Sequence, residues 1–438
     1  MSSSAVSIRI PFLRGAVGLR ELVALGALAG MVATGFMLVL GSASTRPSFS
    51  VPSDTNGIPG WVAGPLARYG TTMTAARFIL LLSAMWVCYL LALAFSDAVR
   101  ARWAIATVVT LTLLFTLAPP LLSRDVFNYV DYARLGVTHH LNPYRHGPIA
   151  AHNDPVFPFV RWRSTPSVYG PLFTLASYPL ALLGLAGALW TLKVMTGLAS
   201  LGCVALVWRC AKRVGTSPVF AGLLVGLNPV LLVYAVGGAH NDVLALLPLV
   251  AGLTLALENR WALGGASVFA AVAMKATAGL MLPFMILGSR RRWAVLAGMS
   301  AAVVLIGAVA FAVFGTAALE PFKLASQHQR FYFVQSVPPH LAVLLGADPR
   351  SATVRRIAEI AALIAIVILL VRTALQRQWL SGAGWATLAG LVATTWLLAW
   401  YTIWALPFAA LARDRRLVYA ALSLGTFVIV SRLYYLRL

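Results

Sequence analysis

The stretch that decides the fold class is Glu21–Leu40, ELVALGALAGMVATGFMLVL. After its first residue it carries no charged side chain, and about 20 apolar residues are what a helix needs to cross the hydrocarbon core of a membrane. It lacks a small-residue cleavage site, so the pattern predicts a retained transmembrane helix rather than a signal peptide. Arg9, Arg14 and Arg20 precede it, which predicts a cytoplasmic N-terminus.

The composition of the whole chain agrees with this stretch. Of its 438 residues, 60% are hydrophobic and 11% are charged, whereas a soluble domain carries about 25% charged residues. This predicts an integral membrane protein surrounded by membrane lipids. The net charge of +22 is first interpreted as loop charge that orients helices, so no nucleic-acid partner is predicted. Cys88, Cys203 and Cys210 all lie in apolar runs and indicate no disulfide framework.

The apolar runs predict an all-α polytopic membrane bundle of about 13 transmembrane helices, with residues 1–438 forming one membrane domain. Eleven single spans are predicted at about 21–41, 76–95, 103–122, 190–209, 217–236, 242–257, 293–315, 353–373, 382–399, 401–412 and 417–434. Residues 261–288 are too long for one span and too short for two, so a hairpin of two short helices is expected there. The segment 169–185 is interpreted as a helix lying in the outer interface, since a span there would move Arg209, Lys212 and Arg213 outside.

Three long segments do not span, at about 42–75, 123–189 and 316–352, and all three are predicted to be external. Most acidic residues also fall on the outer side. We therefore expect an active site on the external, periplasmic face of the membrane. Residues 123–189 would supply the catalytic base from interfacial helices, and residues 316–352 would form a second external loop.

The densest polar segment is Ser123–Arg134, SRDVFNYVDYAR. If it is helical, Asp125, Asn128, Tyr129 and Tyr132 share one face, because they follow the spacing i, i+3, i+4, i+7. A carboxylate, an amide and two phenols are groups suited to holding sugar hydroxyls. The alternative for Asp125 is a helix-end carboxylate paired with Arg124. Asp131 lies on another face, where Arg134 is its expected partner.

A second polar point is the turn Gly237–Asp242, GGAHND. His240, Asn241 and Asp242 are expected to project into the outer cavity beside Asp125. The alternative, equally open, is that Asn241 or Asp242 simply caps the following helix.

Cations suggest a phosphate ligand. Lys275 lies in the predicted hairpin and would be costly within lipid, so an anion contact is expected there. Arg161 and Arg163 flank Trp162 and could clamp a phosphate, or serve as ordinary interface anchors. The loop at 327–332, QHQRFY, adds His328 and Arg330 as further donors.

The sequence predicts neither a bound metal nor a cofactor. His139, His140, His146 and His152 have no zinc-binding spacing and no adjacent carboxylate and thiolate set, so no metal site is assigned.

One well-placed carboxylate, several cations and apolar walls are typical of glycosyl transfer from a lipid-linked sugar phosphate. The phosphate is a tolerable leaving group once a cation neutralises it, so one base for the acceptor hydroxyl is sufficient. A glycoside hydrolase would need two carboxylates.

Several short motifs, in order along about residues 100–410, resemble the GT-C fold, polyprenyl-phosphate-sugar-dependent glycosyltransferases. They are Asp125 at the outer end of a span, Asn142-Pro-Tyr144, Tyr169-Gly-Pro-Leu172, the Gly237–Asp242 turn and Lys275. The likeness is greatest to the polyprenol-phosphate-mannose-dependent alpha-(1→6) mannosyltransferases.

The resemblance implies a GT-C type bundle and an inverting transfer in which Asp125 is the general base. It implies a polyprenyl-phosphate sugar donor, mannose being the expected sugar, and a glycan or glycolipid acceptor in cell-envelope lipoglycan synthesis. Lys275, Arg161, Arg163 and Arg330 would then bind the donor phosphate. Sugar or acceptor contacts are expected from Asn128, Tyr129, Tyr132, Tyr169, His240, Asn241, Asp242 and His328.

A transporter or flippase of a lipid-linked saccharide is the competing hypothesis. Transporters usually show internal repeats with broken helices in corresponding positions. The hairpin at 261–288 has no evident counterpart elsewhere in the sequence, which favours the transferase.

Overall fold

The computed structural model describes residues 17–52, 57–321, 323 and 331–435, and all regular secondary structure within these ranges is helical. The α-helices are α1 Val17–Ser42, α2 Gly60–Ala63, α3 Ala75–Ala94, α4 Ala101–Leu117, α5 Asp125–Val137, α6 Pro171–Ser177, α7 Gly184–Val214, α8 Pro218–Gly226, α9 Asn241–Leu257, α10 Trp261–Met274, α11 Met281–Gly288, α12 Arg292–Phe314, α13 Val337–Leu344, α14 Ala352–Gln376, α15 Trp379–Ala393, α16 Leu406–Leu411 and α17 Arg415–Tyr435. The predicted all-α polytopic membrane bundle is confirmed.

Within these ranges, five helical stretches are long and apolar enough to cross a membrane. They are Gly18–Ser42, Ala75–Ala94, Pro171–Val214, Arg292–Leu319 and Ala352–Gln376. One bent pair of helices would make a sixth, and six shorter apolar helices accompany them. The figure of about 13 spans stays a prediction.

The segment predicted as one helix over 169–185 is divided differently. It contains the short helix α6 and a 3-10 helix, Tyr178–Leu183, that runs directly into α7. Helical structure over this segment is thus present, and its placement in the outer interface stays a prediction. Gly184, with φ +65°, stands where the 3-10 helix passes into α7, a backbone conformation that glycine adopts at little cost.

Local sequence signals explain several helix ends. Thr74 and Ser217 cap α3 and α8 by accepting hydrogen bonds from the backbone N–H groups three residues later, at 3.3 and 3.2 Å. Pro218 follows Ser217 at the first position of α8, where its missing N–H costs nothing. Gly215, with φ +73°, ends α7 in the left-handed conformation that favours glycine.

The described residues form two compact units. The first contains residues up to Pro166 and Ala176–Leu244. In it α1 packs on α3 and α4, and α7 packs on α4, α5 and α8. Buried Tyr89 joins two of these elements, since its hydroxyl donates to the carbonyl of Leu224 at 2.8 Å and accepts from Asn228 Nδ2 at 3.2 Å.

The chain bends after α8. A π-helical segment, Val230–Val236, continues from α8 at an angle of 43°. Asn228 starts it, because its Oδ1 accepts hydrogen bonds from the N–H groups of Val230 and Leu231. Single π-helical turns occur frequently at functional sites, and this one leads directly into the Gly237–Asp242 turn.

The second unit contains Ser167–Leu175 and Ala245–Tyr435. Helices α10 and α12 pack closely through Gly265 and Gly298, where a Cβ atom would overlap the backbone of the facing helix. The helix pair α10 and α11 is interrupted at Lys275, whose backbone is extended. The predicted pair of short helices with a break at Lys275 is thus confirmed.

Candidate active site

Asp125 occupies the first turn of α5, so the predicted helix over this segment is confirmed. Its side chain is 17% exposed, and Oδ1 accepts a hydrogen bond from the Trp162 indole N–H at 3.2 Å. His240 Nδ1 lies 3.6 Å from Oδ2, within ion-pair distance when the imidazole is protonated. The position at a helix N-terminus favours the negative form of the carboxylate. Asp125 is therefore held in a fixed orientation while an edge of it stays open.

The backbone of the Gly237–Asp242 turn brings His240 to this carboxylate. Ala239 has φ +53°, an uncommon conformation for a residue with a side chain, and His240 follows it with 1% of its surface exposed. Helix α9 begins at Asn241. The predicted proximity of this turn to Asp125 is therefore present in the first unit.

Lys193 supports the same turn, although no sequence pattern singled it out. Its side chain is fully buried, and Nζ donates to three carbonyl oxygens: Phe115 at 2.8 Å, Val236 at 3.2 Å and Gly237 at 2.7 Å. The ammonium thus satisfies carbonyls at the C-terminal end of α4 and at the end of the π-helical segment. One signal was available: Lys193 is the one charged residue in the part of α7 that precedes Arg209.

The other residues of the predicted polar face lie beneath Asp125. Asn128 is fully buried, and its Oδ1 accepts from the backbone N–H groups of Arg161 and Trp162, both at 3.3 Å. The Tyr129 hydroxyl donates to Asn241 Oδ1 at 3.3 Å. The Tyr132 hydroxyl donates to the carbonyl of Thr165 at 2.8 Å. These contacts fasten the external loop and the start of α9 to α5, and they leave the amide and phenols little exposed surface.

Arg161 and Arg163 are exposed, as a phosphate clamp or an interface anchor would be. The Arg163 guanidinium lies 4.9 Å from the centre of the Phe157 ring. Asp242, in contrast, is fully buried in the first turn of α9. Of Arg161, Trp162 and Arg163, Trp162 is the residue whose side chain contacts Asp125. The sequence marked it only as the residue between two arginines.

The expected Asp131–Arg134 pair is not formed. Arg134 Nε instead donates to both carboxylate oxygens of Asp154 at 2.9 Å, and His139 Nε2 lies 2.6 Å from Asp154. Asp131 is 1% exposed, and its Oδ2 has no hydrogen-bond partner among the described residues. Burial and the nearby charge of Asp154 raise the pKa of Asp131 to about 7, with Arg134 opposing them. Asp154 is the better partner because both its oxygens face the guanidinium.

Two predicted residues belong to the second unit. Lys275 is half-buried, and its Nζ lies 4.9 Å from the centre of the Tyr401 ring. Gly170 donates its backbone N–H to the carbonyl of Met274 at 3.0 Å, so the Tyr169–Gly170 segment lies against the break that carries Lys275. A side chain on Gly170 would overlap the backbone of Ala273 and Met274, which explains glycine at this position.

His328 and Arg330 lie outside the described residues. Among the residues that are described, no group of three or more His, Cys, Asp and Glu side chains could hold a metal ion.

Comparison with known proteins identifies the family. The model of the alpha-(1→6)-mannopyranosyltransferase N-terminal domain matches residues 26–291, more than half of the chain. The chain belongs to the alpha-(1→6)-mannopyranosyltransferase family. The model of glycosyltransferase family 87 also matches, over residues 168–433. The predicted resemblance is thus confirmed at the level of the family. No solved structure matches the chain.

Two relatives in this family show how much of the chain is similar in sequence to known members. The Mycobacterium tuberculosis alpha-(1→6)-mannopyranosyltransferase A is 32% identical over 349 residues, which are 72% of this chain and 66% of the relative. The Corynebacterium glutamicum alpha-(1→6)-mannopyranosyltransferase A is 32% identical over 176 residues, 39% of this chain and 35% of the relative. The chain therefore spans at most about two thirds of these relatives.

Within this family chain, Asp125 differs from the neighbouring acids in its accessibility and its contacts. It combines an accessible edge, two polar neighbours that fix its orientation and a helix terminus that favours its charge. Asp131 lacks access and Asp154 is occupied by Arg134 and His139. Asp242 is fully buried, so Asp125 is the one of these four acids with an accessible edge.

Proposed function

We propose that this chain is an inverting glycosyltransferase that moves mannose from a polyprenyl-phosphate donor to a hydroxyl of a glycan or glycolipid acceptor. The main support is the partly exposed Asp125 carboxylate, hydrogen-bonded to Trp162 and 3.6 Å from His240, in a member of the alpha-(1→6)-mannopyranosyltransferase family. The relatives' names support the sugar and the linkage. The transport alternative has no comparable support.

In the proposed reaction Asp125 accepts the proton of the acceptor hydroxyl as its oxygen attacks the anomeric carbon. The bond between that carbon and the phosphate oxygen breaks, and polyprenyl phosphate leaves with the bonding electrons. Attack from the side opposite the phosphate inverts the anomeric configuration, so a beta-linked donor gives an alpha product. A positioned base contributes roughly 100-fold to 10,000-fold to such a step.

We propose a role in binding the donor phosphate for cations of the external loops and for Lys275, each within its own unit. Arg161 and Arg163 are exposed, Lys275 is half-buried next to Tyr401, and Arg330 lies in the predicted external loop at 316–352. Such cations would neutralise charge on the departing phosphate, the place where charge develops in the transition state. We assign Tyr169 and His328 to sugar or acceptor contact.

The buried members of the predicted polar face receive a positioning role. Asn128 holds the loop that presents Trp162, and Tyr129 holds Asn241. Tyr132 and Asp242 are buried beside these contacts. We propose that these residues act through Asp125 and His240, whose location they fix.

The proposed location is a bacterial cytoplasmic membrane with Asp125 on the periplasmic side. Substituting Arg163→Cys tests the side, because the three natural cysteines are buried or half-buried. A membrane-impermeant maleimide applied to intact spheroplasts should label this variant. Labelling only after the membrane is opened from the cytoplasmic side would reverse the topology.

The activity is tested with membranes containing the full chain and radiolabelled polyprenyl-phosphate mannose. We expect a product whose label is released by an enzyme specific for alpha-(1→6)-linked mannose. GDP-mannose supplied without a lipid carrier is the matched control and should give no product. Transfer from the nucleotide sugar alone, or labelled sugar crossing sealed proteoliposomes with no new glycosidic bond, would refute the proposal.

A further inference from the structure

A crevice in the second unit has no part in the proposed transfer. Helices α14, α15 and α17 surround it, and its volume is about 720 Å³. Ile368, Leu369, Leu388 and Val392 form an apolar wall. The residues at its other end are Arg372, Gln376, Gln378, Trp385, Asp414 and Arg416. We call this cavity the basic crevice.

The polar end of the basic crevice carries excess positive charge. Arg372 and Arg416 line it, and neither guanidinium has an ion-pair partner among the described residues. Arg377, Arg413 and Arg415 lie in the same two turns, and Arg413 and Arg415 line a polar recess that shares Arg416. An anion entering here would meet several cations within a short distance.

The one acid in the lining, Asp414, forms no ion pair with Arg372 or Arg416 among the described residues, so two guanidinium charges face one carboxylate charge. Its Oδ2 accepts hydrogen bonds from Trp385 Nε1 at 2.8 Å and Ser381 Oγ at 3.1 Å. Its Oδ1 accepts from the backbone N–H groups of Arg416 and Leu417. Burial alone would raise the pKa of Asp414, but these hydrogen bonds outweigh it and lower the pKa. The carboxylate thus stays committed to the start of α17, and the guanidinium groups remain available.

The apolar end opens along α14, a peripheral helix. Only 6% of the residues in its most apolar stretch are buried, against 39% for α1 and α3. Leu363, Val367 and Val371 each expose half or more of their surface. In a membrane protein such a surface is covered by acyl chains. A hydrocarbon chain can therefore pass from the bilayer along α14 to the arginine-lined end.

We infer that the basic crevice binds an anionic membrane phospholipid, with its phosphate between Arg372 and Arg416 and an acyl chain against Ile368 and Val392. A volume of about 720 Å³ suits a headgroup and the first part of a chain. Arginine is suited to phosphate because its planar fork can donate two hydrogen bonds. The inference does not depend on the proposed transfer.

Trp385 lines the crevice and serves as a reporter. Full-length protein in detergent is titrated with brominated phosphatidylglycerol, whose bromine atoms quench tryptophan fluorescence on contact. The difference between the natural chain and Trp385→Phe isolates the signal of this indole. Half-maximal quenching of that component should need at least about tenfold less phosphatidylglycerol than brominated phosphatidylcholine, because two arginines near a lipid phosphate add affinity for the anion.

The double variant Arg372→Gln, Arg416→Gln should lose this preference for the anionic lipid. Arg100→Gln, Arg102→Gln is the matched control, since it removes equal charge from the first unit and should keep the preference. Replacing Arg372 and Arg416 by lysine should retain most of the preference for the anionic lipid. If the glutamine variant unfolds at a lower temperature, the lysine variant is tested in its place.

Equal quenching by the two lipids in the natural chain would overturn the inference, as would an unchanged preference in the glutamine variant. Inorganic phosphate that displaces the brominated lipid would indicate a site for a free anion instead. Displacement by polyprenyl phosphate at lower concentration than by unbrominated phosphatidylglycerol would assign the crevice to a polyprenyl lipid. Both displacement results contradict the phospholipid assignment, and neither bears on Asp125.

Discussion

Asp125 and Asp131 lie on the same helix, α5, and have opposite surroundings. Asp125 is at the first turn, 17% exposed, and accepts a hydrogen bond from Trp162. Asp131 is in the middle of the helix, 1% exposed, beside a second acid, and its pKa is raised to about 7. Because of their positions on the helix, the Asp125 carboxylate is accessible and oriented, whereas burial disfavours the charged form of Asp131.

The acids of this region are expected to differ in whether they affect catalysis or stability. Asp125 is expected to affect the rate of transfer with little effect on folding. Asp131 and its neighbour Asp154 are expected to affect folding with little direct effect on transfer. Substitutions at these acids and at Trp162 test this division.

The largest expected effect is on transfer by Asp125→Asn. Removing the proposed base should reduce the transfer rate roughly 100-fold to 10,000-fold. The measurement is transfer of labelled mannose per amount of folded protein. Asp131→Asn, on the same helix, is the matched control and should transfer at close to the natural rate. Similar losses in both variants would remove the distinction between the two acids.

Asp154→Asn should cause the largest loss of stability. It leaves Arg134 and His139 without their carboxylate in a mostly buried site, a change that costs about 2 to 4 kcal/mol. Thermal unfolding in detergent measures it. Asp97→Asn is the control, because its ion pair with Arg20 is exposed and should be worth under about 1 kcal/mol. Equal changes in unfolding temperature for the two variants would contradict the buried role of Asp154.

Asp131→Asn should change the pH dependence of stability. The pKa of Asp131 in the folded state is raised from 3.8 to about 7, so the folded chain binds this proton more tightly than the unfolded chain does. The contribution of Asp131 to the free energy of unfolding is therefore full below the lower pKa. It is lost as the pH rises to the upper pKa, by about 1.4 kcal/mol for each pH unit between the two values.

Asparagine cannot lose this proton, so the variant should unfold at a higher temperature than the natural chain at neutral pH and should show a shallower decline with pH. Unfolding temperatures measured across the range from 3.8 to about 7 test this. Parallel curves for the two proteins would mean that Asp131 does not titrate in this range.

Trp162→Phe should have the smallest effect. It removes one hydrogen bond to Asp125 while keeping an aromatic ring, and a bond to a charged group is worth about 1.5 to 3 kcal/mol at most. We expect transfer to fall by about tenfold, the lower end of that range, with little change in unfolding temperature. An effect as large as that of Asp125→Asn would indicate that the indole itself contacts the reacting groups.

The sequence was sufficient to predict α5, the polar face that contains Asp125, and the break at Lys275. These features follow from local periodicity, from residue spacing and from the cost of a charge within an apolar segment. The proximity of the Gly237–Asp242 turn to Asp125 was also predictable, because both sites fall at the same predicted side of the membrane.

Other features depend on contacts between distant segments. Arg134 forms its ion pair with Asp154, 20 residues away, and not with Asp131, three residues away. No rule based on local spacing predicts this partner. The partners of Lys193 are backbone carbonyls 43 to 78 residues distant, which leave no trace in side-chain patterns. Trp162 reaches Asp125 because Asn128 fixes the loop backbone, a contact that becomes visible only once the chain is folded.

In the proposed mechanism, Asp125 accepts the proton of the acceptor and does not bind the donor. The most direct test measures the donor KM and the kcat of Asp125→Asn separately, in membranes with saturating acceptor. We expect a donor KM within about threefold of the natural value and a kcat lower by roughly 100-fold or more. A raised donor KM with a nearly natural kcat would contradict it and would make Asp125 a donor-binding residue.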